Sequence, residues 1–167
     1  MLLEKIENIK LLLTDCDGVL TDGCVYYSVE GEALKKFSFR DGMGAERLRK
    51  NTEIDIGIIT GENSEIVRRR AEKLKISELH LGIKNKLKTL HEIMERKQLD
   101  YQHIAYIGDD MNDLCIIEKV GLTACPQDAF KTIKKYVDYV CEIKGGQGAF
   151  REFCEVIIQG KNTFEDE

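Results

Sequence analysis

An α/β three-layer sandwich around a parallel sheet is the fold the sequence predicts, and three observations carry that expectation. Short apolar runs recur along the chain, each bounded by glycine or polar residues, which is how strands buried on both faces read. Segments with apolar residues at helical spacing alternate with them. The 167 residues contain no internal repeat, low-complexity tract or linker, and the single proline is Pro126. One compact unit therefore accommodates the whole chain, and the repeated strand, helix, strand order places helices on both faces of the sheet.

The first strand falls at residues 10–14 (KLLLT). The order breaks just after it, where residues 24–39 (CVYYSVEGEALKKFSF) hold two β-rich runs around Val29-Glu30-Gly31-Glu32 and predict an inserted β-hairpin. Val25, Tyr27, Phe37 and Phe39 alternate along it, giving an apolar face that a lone surface hairpin would leave wet. A helix with Met43, Leu48 and a basic end follows at 42–51, then a strand at 54–59 (IDIGII). The next helix, 64–74, starts at the capping residue Ser64 and carries Ile66, Val67, Ala71 and Leu74 on one stripe. A strand at 78–81 leads to a helix at 87–97 with Leu87, Leu90, Ile93 and Met94 at helical spacing. Strands at 103–107 (HIAYI), 122–124 and 137–141, and helices at 112–120 and 148–158, complete the pattern.

Composition narrows the function. There are 30 Asp+Glu against 25 Lys+Arg, a net charge of -5 that offers no general attraction to nucleic acid or anionic membrane. No run approaches the roughly 18 apolar residues of a membrane span, and the first ten residues place acids inside any secretion signal, so a cytoplasmic protein is expected. Six scattered cysteines (Cys16, Cys24, Cys115, Cys125, Cys141, Cys154) form no metal-binding or disulfide framework. The three histidines, His80, His91 and His103, are isolated, so Ser-His or Cys-His catalysis has little support.

The chemistry gathers at strand ends. Asp15 and Asp17 lie two residues apart after the first strand, where open α/β sheets place ligands, and Gly18 permits a tight turn. Such close like charges repel unless a cation or shared proton compensates, and oxygen-only ligands favour Mg²⁺. A second acidic cluster, Gly108-Asp109-Asp110-Met111-Asn112-Asp113, ends another strand. Asp110 or Asp113 suits a helix cap, whereas Asp109 is best explained as a third metal ligand. Thr60 after a strand and Lys86 at a helix start are unremarkable one by one.

Taken in order, these residues resemble the four motifs of the haloacid dehalogenase superfamily over residues 10 to 140: D-x-D-G-x-L/V-T-D at Asp15 to Asp22, then Thr60, Lys86, and G-D-D-x-x-D at Gly108 to Asp113. The resemblance implies a Rossmann-like sandwich in which Asp15 is the nucleophile that forms an aspartyl-phosphate. Asp17 would protonate the leaving alcohol and then activate water. Thr60 and Lys86 would hold the transferring phosphoryl group, and Asp15, the Asp17 carbonyl and Asp109 would bind Mg²⁺. Asp110 and Asp113 would orient Lys86 or the metal ligands. Cap domains of that superfamily are inserted after the first motif or between the second and third. The short intervals here imply a single phosphatase domain over 1–167 with no cap.

The whole chain, including residues 144–152 (KGGQGAFRE), resembles the capless 3-deoxy-D-manno-octulosonate 8-phosphate (KDO 8-phosphate) phosphatase family and its relatives acting on nonulosonate 9-phosphates. That resemblance implies a small-molecule phosphorylated sugar acid as substrate. It also implies a homotetramer whose hairpins form a central barrel, with Gly145, Gly146 and Gly148 in a mobile loop near the adjoining site. The octulosonate enzymes typically carry Arg after Thr-Gly, whereas this chain carries Glu62, with Lys73 further on. The pairing resembles the relatives that hydrolyse 2-keto-3-deoxynononate 9-phosphate (KDN 9-phosphate). Glu62 would accept from sugar hydroxyls while Arg70 and Lys73 bind the carboxylate, so a nine-carbon acid is expected over an eight-carbon one. Two alternatives stay open: a non-catalytic oligomerisation domain like those fused to acylneuraminate cytidylyltransferases, and a phospho-receiver domain, whose Lys follows its acceptor Asp instead of preceding the last acidic cluster.

Overall fold

The protein is described by a computed structural model over residues 2–165, with side chains over 2–162. The elements are α1 (Leu2–Glu7), β1 (Leu11–Thr14), β2 (Thr21–Ser28), β3 (Gly31–Phe37), α2 (Phe39–Asn51), β4 (Asp55–Ile59), α3 (Glu65–Lys73), β5 (Glu78–His80), α4 (Lys86–Lys97), β6 (Ile104–Ile107), α5 (Leu114–Ile117), β7 (Leu122–Cys125), β8 (Tyr139–Val140) and α6 (Ala149–Glu165). Six strands make one parallel sheet in the order β5-β4-β1-β6-β7-β8, and β2 pairs with β3 as a separate antiparallel hairpin.

β1 is the central strand, and all four of its residues are buried, which is why its sequence shows no polar alternation. On one face Leu12, Ile56, Ile58 and Ala105 pack with Ile6, Leu48, Val67 and Phe153 from α1, α2, α3 and α6. On the other, Leu11, Leu13, Ile59 and Tyr106 pack with Leu90, Ile93 and Ile116 from α4 and α5. The chain winds outward from β1 through β4 to β5, then returns across β1 to β6 and runs outward the other way. Strand order therefore reverses beside β1, and the loops after β1 and β6 diverge there to open a cleft at the carboxyl ends of the strands.

Local chemistry sets the boundaries. Ser64 Oγ accepts from the Val67 amide and Asn85 Oδ1 from the Lys88 amide, capping α3 and α4. The helix expected at 42–51 begins earlier, at Phe39, because Ser38 caps it through the Arg40 amide. Phe39 consequently belongs to α2, and the hairpin strands are Thr21–Ser28 and Gly31–Phe37. The helix expected at 112–120 is reduced to a 3-10 turn, Met111–Asp113, and the single turn of α5. There Asp113 folds back onto the amides of Asp109 and Asp110, which tightens the first turn. The strand expected at 137–141 pairs only at Tyr139–Val140, since the Asp138 carboxylate takes up the Thr123 amide and hydroxyl beside it. Helix α1 carries no signal in the sequence pattern, and it buries Ile6 against α6. Among the described residues, no helix is long and apolar enough to cross a membrane.

Candidate active site

Hydrogen bonding continues past the end of β1, where the Asp15 amide donates to Ile107 O at 3.0 Å, so Asp15 leaves the sheet in a fixed direction. Its Oδ1 accepts from the Cys16 amide at 2.7 Å, and Oδ2 lies 3.0 Å from Lys86 Nζ. Lys86 is the first residue of α4, where the helix dipole disfavours a cation. Its ammonium is nevertheless buried, held between Asp15 and Asp113 Oδ1, the latter at 2.7 Å. Burial opposes that charge, but the two carboxylates outweigh burial and hold the Lys86 pKa above its ordinary value.

Asp113 has no capacity to spare. Its Oδ1 also accepts from the Tyr106 hydroxyl at 2.5 Å, and its Oδ2 takes the Asp109 and Asp110 amides at 3.0 and 3.3 Å. The carboxylate thus ties Lys86, β6 and the loop after β6 into one buried unit. Asp110 serves locally, accepting from the Met111 amide as a cap.

Carboxylate oxygens of Asp15, Asp109 and Asp113 lie within 4.8 Å of one another. Burial, followed by repulsion from Asp15 and Asp113, raises Asp109 to about 8, and burial with the Asp113 charge raises Asp15 despite Lys86. A compact set of oxygen donors whose mutual repulsion resists ionisation is what a hard divalent cation relieves, so the cluster is compatible with Mg²⁺. Because Asp113 is saturated by its own donors, Asp15 and Asp109 are the carboxylates free to ligate. Asp109 also explains Gly18: with φ of +88°, any Cβ there would lie 2.0 Å from Asp109 Oδ2.

Asp17 sits on the other side of the turn. Its Oδ1 accepts from the Thr21 hydroxyl at 3.2 Å and from Lys35 Nζ at 2.6 Å, while Oδ2 is buried without a hydrogen-bond partner. Lys35 comes from β3 of the hairpin, and no sequence signal near it points to Asp17.

Asp15, Asp17, Thr60, Glu62, Asp109 and Asp110 line one cavity of about 280 Å³, together with Gly23, Gly61 and Asn112. Lys86 and Asp113 lie directly behind its acidic wall. A larger cavity, about 800 Å³, opens around Glu7, Lys10, Arg49 and Thr52 at the amino ends of β1 and β4. It contains none of the acidic cluster and lies at the end of the sheet opposite to where α/β folds bind ligands, so the smaller cavity is the candidate.

The structure does not bring Arg70 and Lys73 to this cavity. Arg70 donates to Ser38 O at 2.8 Å with its guanidinium 5.4 Å from the Phe37 ring centroid, and the Lys73 ammonium lies 5.7 Å from that of Phe39. Both face the base of the hairpin. The glycine-rich stretch 144–148 seats against this chain's own loop after β1: the Gly146 amide donates to Val19 O at 2.9 Å, and a Cβ on Gly145 would lie 1.8 Å from Gly18 O.

A family model described as haloacid dehalogenase-like hydrolase matches residues 32–151. The chain belongs to this family. It is 42% identical over 159 residues to the 3-deoxy-D-manno-octulosonate 8-phosphate phosphatase of Escherichia coli K12, covering 94% of this chain and 84% of that protein. The crystal structure of the enzyme of that name from Yersinia pestis superposes with a TM-score of 0.93 at 38% identity, covering 98% of this chain and 88% of the other. The Moraxella catarrhalis enzyme, in complex with a magnesium ion, a phosphate ion and a KDO molecule, gives 0.92 at 36% identity over 99% and 94%.

Proposed function

We propose that this chain is a Mg²⁺-dependent phosphatase of one domain, without a cap, acting on a phosphorylated 3-deoxy-2-ulosonic acid through an aspartyl-phosphate on Asp15. The observation that carries the reading is the pairing of a buried Asp15 carboxylate with the buried Lys86 ammonium 3.0 Å away, in a cavity shared with Asp17, Thr60 and Asp109. Asp15, Asp109 and the Asp17 backbone carbonyl would hold Mg²⁺, which when bound neutralises charge where carboxylate meets phosphate. Asp15 forms its bond to phosphorus as the phosphorus to alcohol-oxygen bond breaks. Asp17 gives its proton to the departing oxygen and later takes one from the water that cleaves the aspartyl-phosphate. Thr60 and Lys86 bind the phosphoryl oxygens and fix their line of approach, since positioning and charge stabilisation carry most of phosphoryl transfer.

KDO 8-phosphate, the substrate named for the relatives, is the first reading. Glu62 in the cavity favours a second, KDN 9-phosphate, whose longer hydroxylated chain offers more donors to a carboxylate. Arg70 and Lys73 point away from this chain's cavity, so a part for them in binding the sugar-acid carboxylate requires the site of a neighbouring copy in a homotetramer. Phosphate release from KDO 8-phosphate, KDN 9-phosphate and N-acetylneuraminate 9-phosphate, with Mg²⁺ and with excess chelator, tests the proposal. Turnover of one of them only with Mg²⁺ is expected, and inactivity on all three defeats the substrate class. Glu62→Arg decides between the readings. It should depress kcat/KM for KDN 9-phosphate relative to KDO 8-phosphate by about tenfold to a hundredfold, the value of a charged hydrogen bond, and an unchanged ratio removes the second reading.

A further inference from the structure

We infer that Lys35, on the hairpin, is a positioning residue for Asp17, holding one carboxyl oxygen so that the other is presented to the departing alcohol. The inference rests on the phosphatase reading and adds a residue to it. Lys35 Nζ lies 2.6 Å from Asp17 Oδ1 and 3.2 Å from Glu32 Oε1, and the side chain is 3% exposed. Glu32 is fixed in turn by the Ser64 hydroxyl, which donates to its Oε2 at 2.6 Å and also caps α3. A strut of four side chains, Asp17, Lys35, Glu32 and Ser64, thus runs from the catalytic loop through the hairpin to the start of the helix after Thr60.

Stability alone does not call for this arrangement. Burying the Lys35 ammonium against two partly exposed carboxylates is costly, and an apolar residue of similar volume commonly serves as well or better at such a place. What an apolar residue cannot supply is a donor to Asp17. Thr21 and Lys35 both donate to Oδ1, which stops the carboxyl from turning about its own axis and leaves Oδ2 as the oxygen without a protein partner. When the phosphorus to oxygen bond breaks toward the alcohol, the proton passes from Asp17 Oδ2 to the departing oxygen while Asp15 keeps the phosphoryl group. A carboxyl free to rotate spends less of its time in line for that transfer.

The effect must follow the leaving group. Alkoxide departure needs the Asp17 proton, whereas p-nitrophenolate departs readily without it. Lys35→Met should therefore lower kcat and kcat/KM for KDO 8-phosphate or KDN 9-phosphate, whichever the wild type hydrolyses, by about tenfold to a hundredfold, part of what a general acid contributes. The kcat/KM for p-nitrophenyl phosphate should change by less than about threefold. Lys35→Arg, which keeps a donor, should recover most of the loss, and thermal unfolding of Lys35→Met should stay near the wild-type midpoint. Equal losses on both esters, no loss on either, or a change confined to KM for the sugar acid would each overturn the inference while leaving the phosphatase reading in place. A wild type inactive on every ester would bring both down together.

Discussion

The floor of the cleft and the hairpin beside it break opposite rules of burial. At the floor, Asp15, Lys86 and Asp113 put three ionisable groups among fully buried strands, each held by at least two partners. Along the hairpin, Tyr26, Tyr27 and Leu34 leave large apolar side chains 62%, 71% and 63% exposed. A folded chain buries charge only where the charge is compensated, and it leaves contiguous apolar surface where another surface covers it. The floor therefore suits the proposed chemistry within one chain, and the exposed hairpin suits the proposed contact between chains. Lys35 joins the two, because it is the hairpin's one described side chain with a salt bridge to Asp17 in the loop after β1.

The comparison breaks first at Asp15. Asp15→Asn should cut phosphate release by at least about a thousandfold, since an amide is a poor nucleophile, while far-ultraviolet circular dichroism stays native. Substantial activity in a clean preparation would remove the covalent mechanism. Asp113→Ala attacks the same floor through stability. It leaves the buried Lys86 ammonium with one carboxylate in place of two and takes away the acceptor of the Tyr106 hydroxyl, so denaturant unfolding should lose about 3 kcal/mol or more. A loss under about 1 kcal/mol would mean that the buried network is not one unit.

Much of the floor was legible in the sequence, for a physical reason. Parallel strands buried on both faces write themselves as runs such as KLLLT and HIAYI, and acids directly after such a run have no packing purpose. Ser64 announced the start of α3 through cap chemistry, which is local. What stayed hidden depends on contacts distant in sequence. Lys35 meets Asp17 across the hairpin, and α1 forms because Ile6 finds α6. Arg70 and Lys73 have the charge a sugar-acid carboxylate asks for, but their direction is set by Phe37 and Phe39, which no spacing along α3 encodes.

The hairpin half of the comparison sharpens with a double variant, Tyr26→Ser with Leu34→Ser, which strips a cross-strand pair from the exposed surface. If two such side chains are buried between copies, the expected homotetramer should dissociate at protein concentrations about a hundredfold higher or more. Light scattering across a dilution series checks this, and a wild type already monomeric at micromolar concentration would defeat the assembly. Hydrolysis of p-nitrophenyl phosphate should survive in the dissociated variant, because the floor lies within one chain.

The smallest effect concerns pH. In the metal-free chain Asp109 is raised to about 8, so its folded form prefers the proton. The stability it contributes is complete below about pH 4, the ordinary carboxylate range, and is lost as pH rises through about 8. Mg²⁺ competes with that proton, so its stabilising shift of the melting temperature should be larger at pH 8 than at pH 5. A shift independent of pH would show that Asp109 does not ligate.

The most direct test is to find the phosphoryl group on the protein. Wild-type chain mixed with a hydrolysed ester and Mg²⁺, quenched in acid within one turnover, reduced with borohydride and digested with trypsin, should yield the peptide from Leu11 to Lys35 with homoserine at position 15. Asp17 and Asp22, in the same peptide, should remain aspartate. Homoserine at another position, or none while phosphate is being released, would contradict the assignment of Asp15 as the nucleophile.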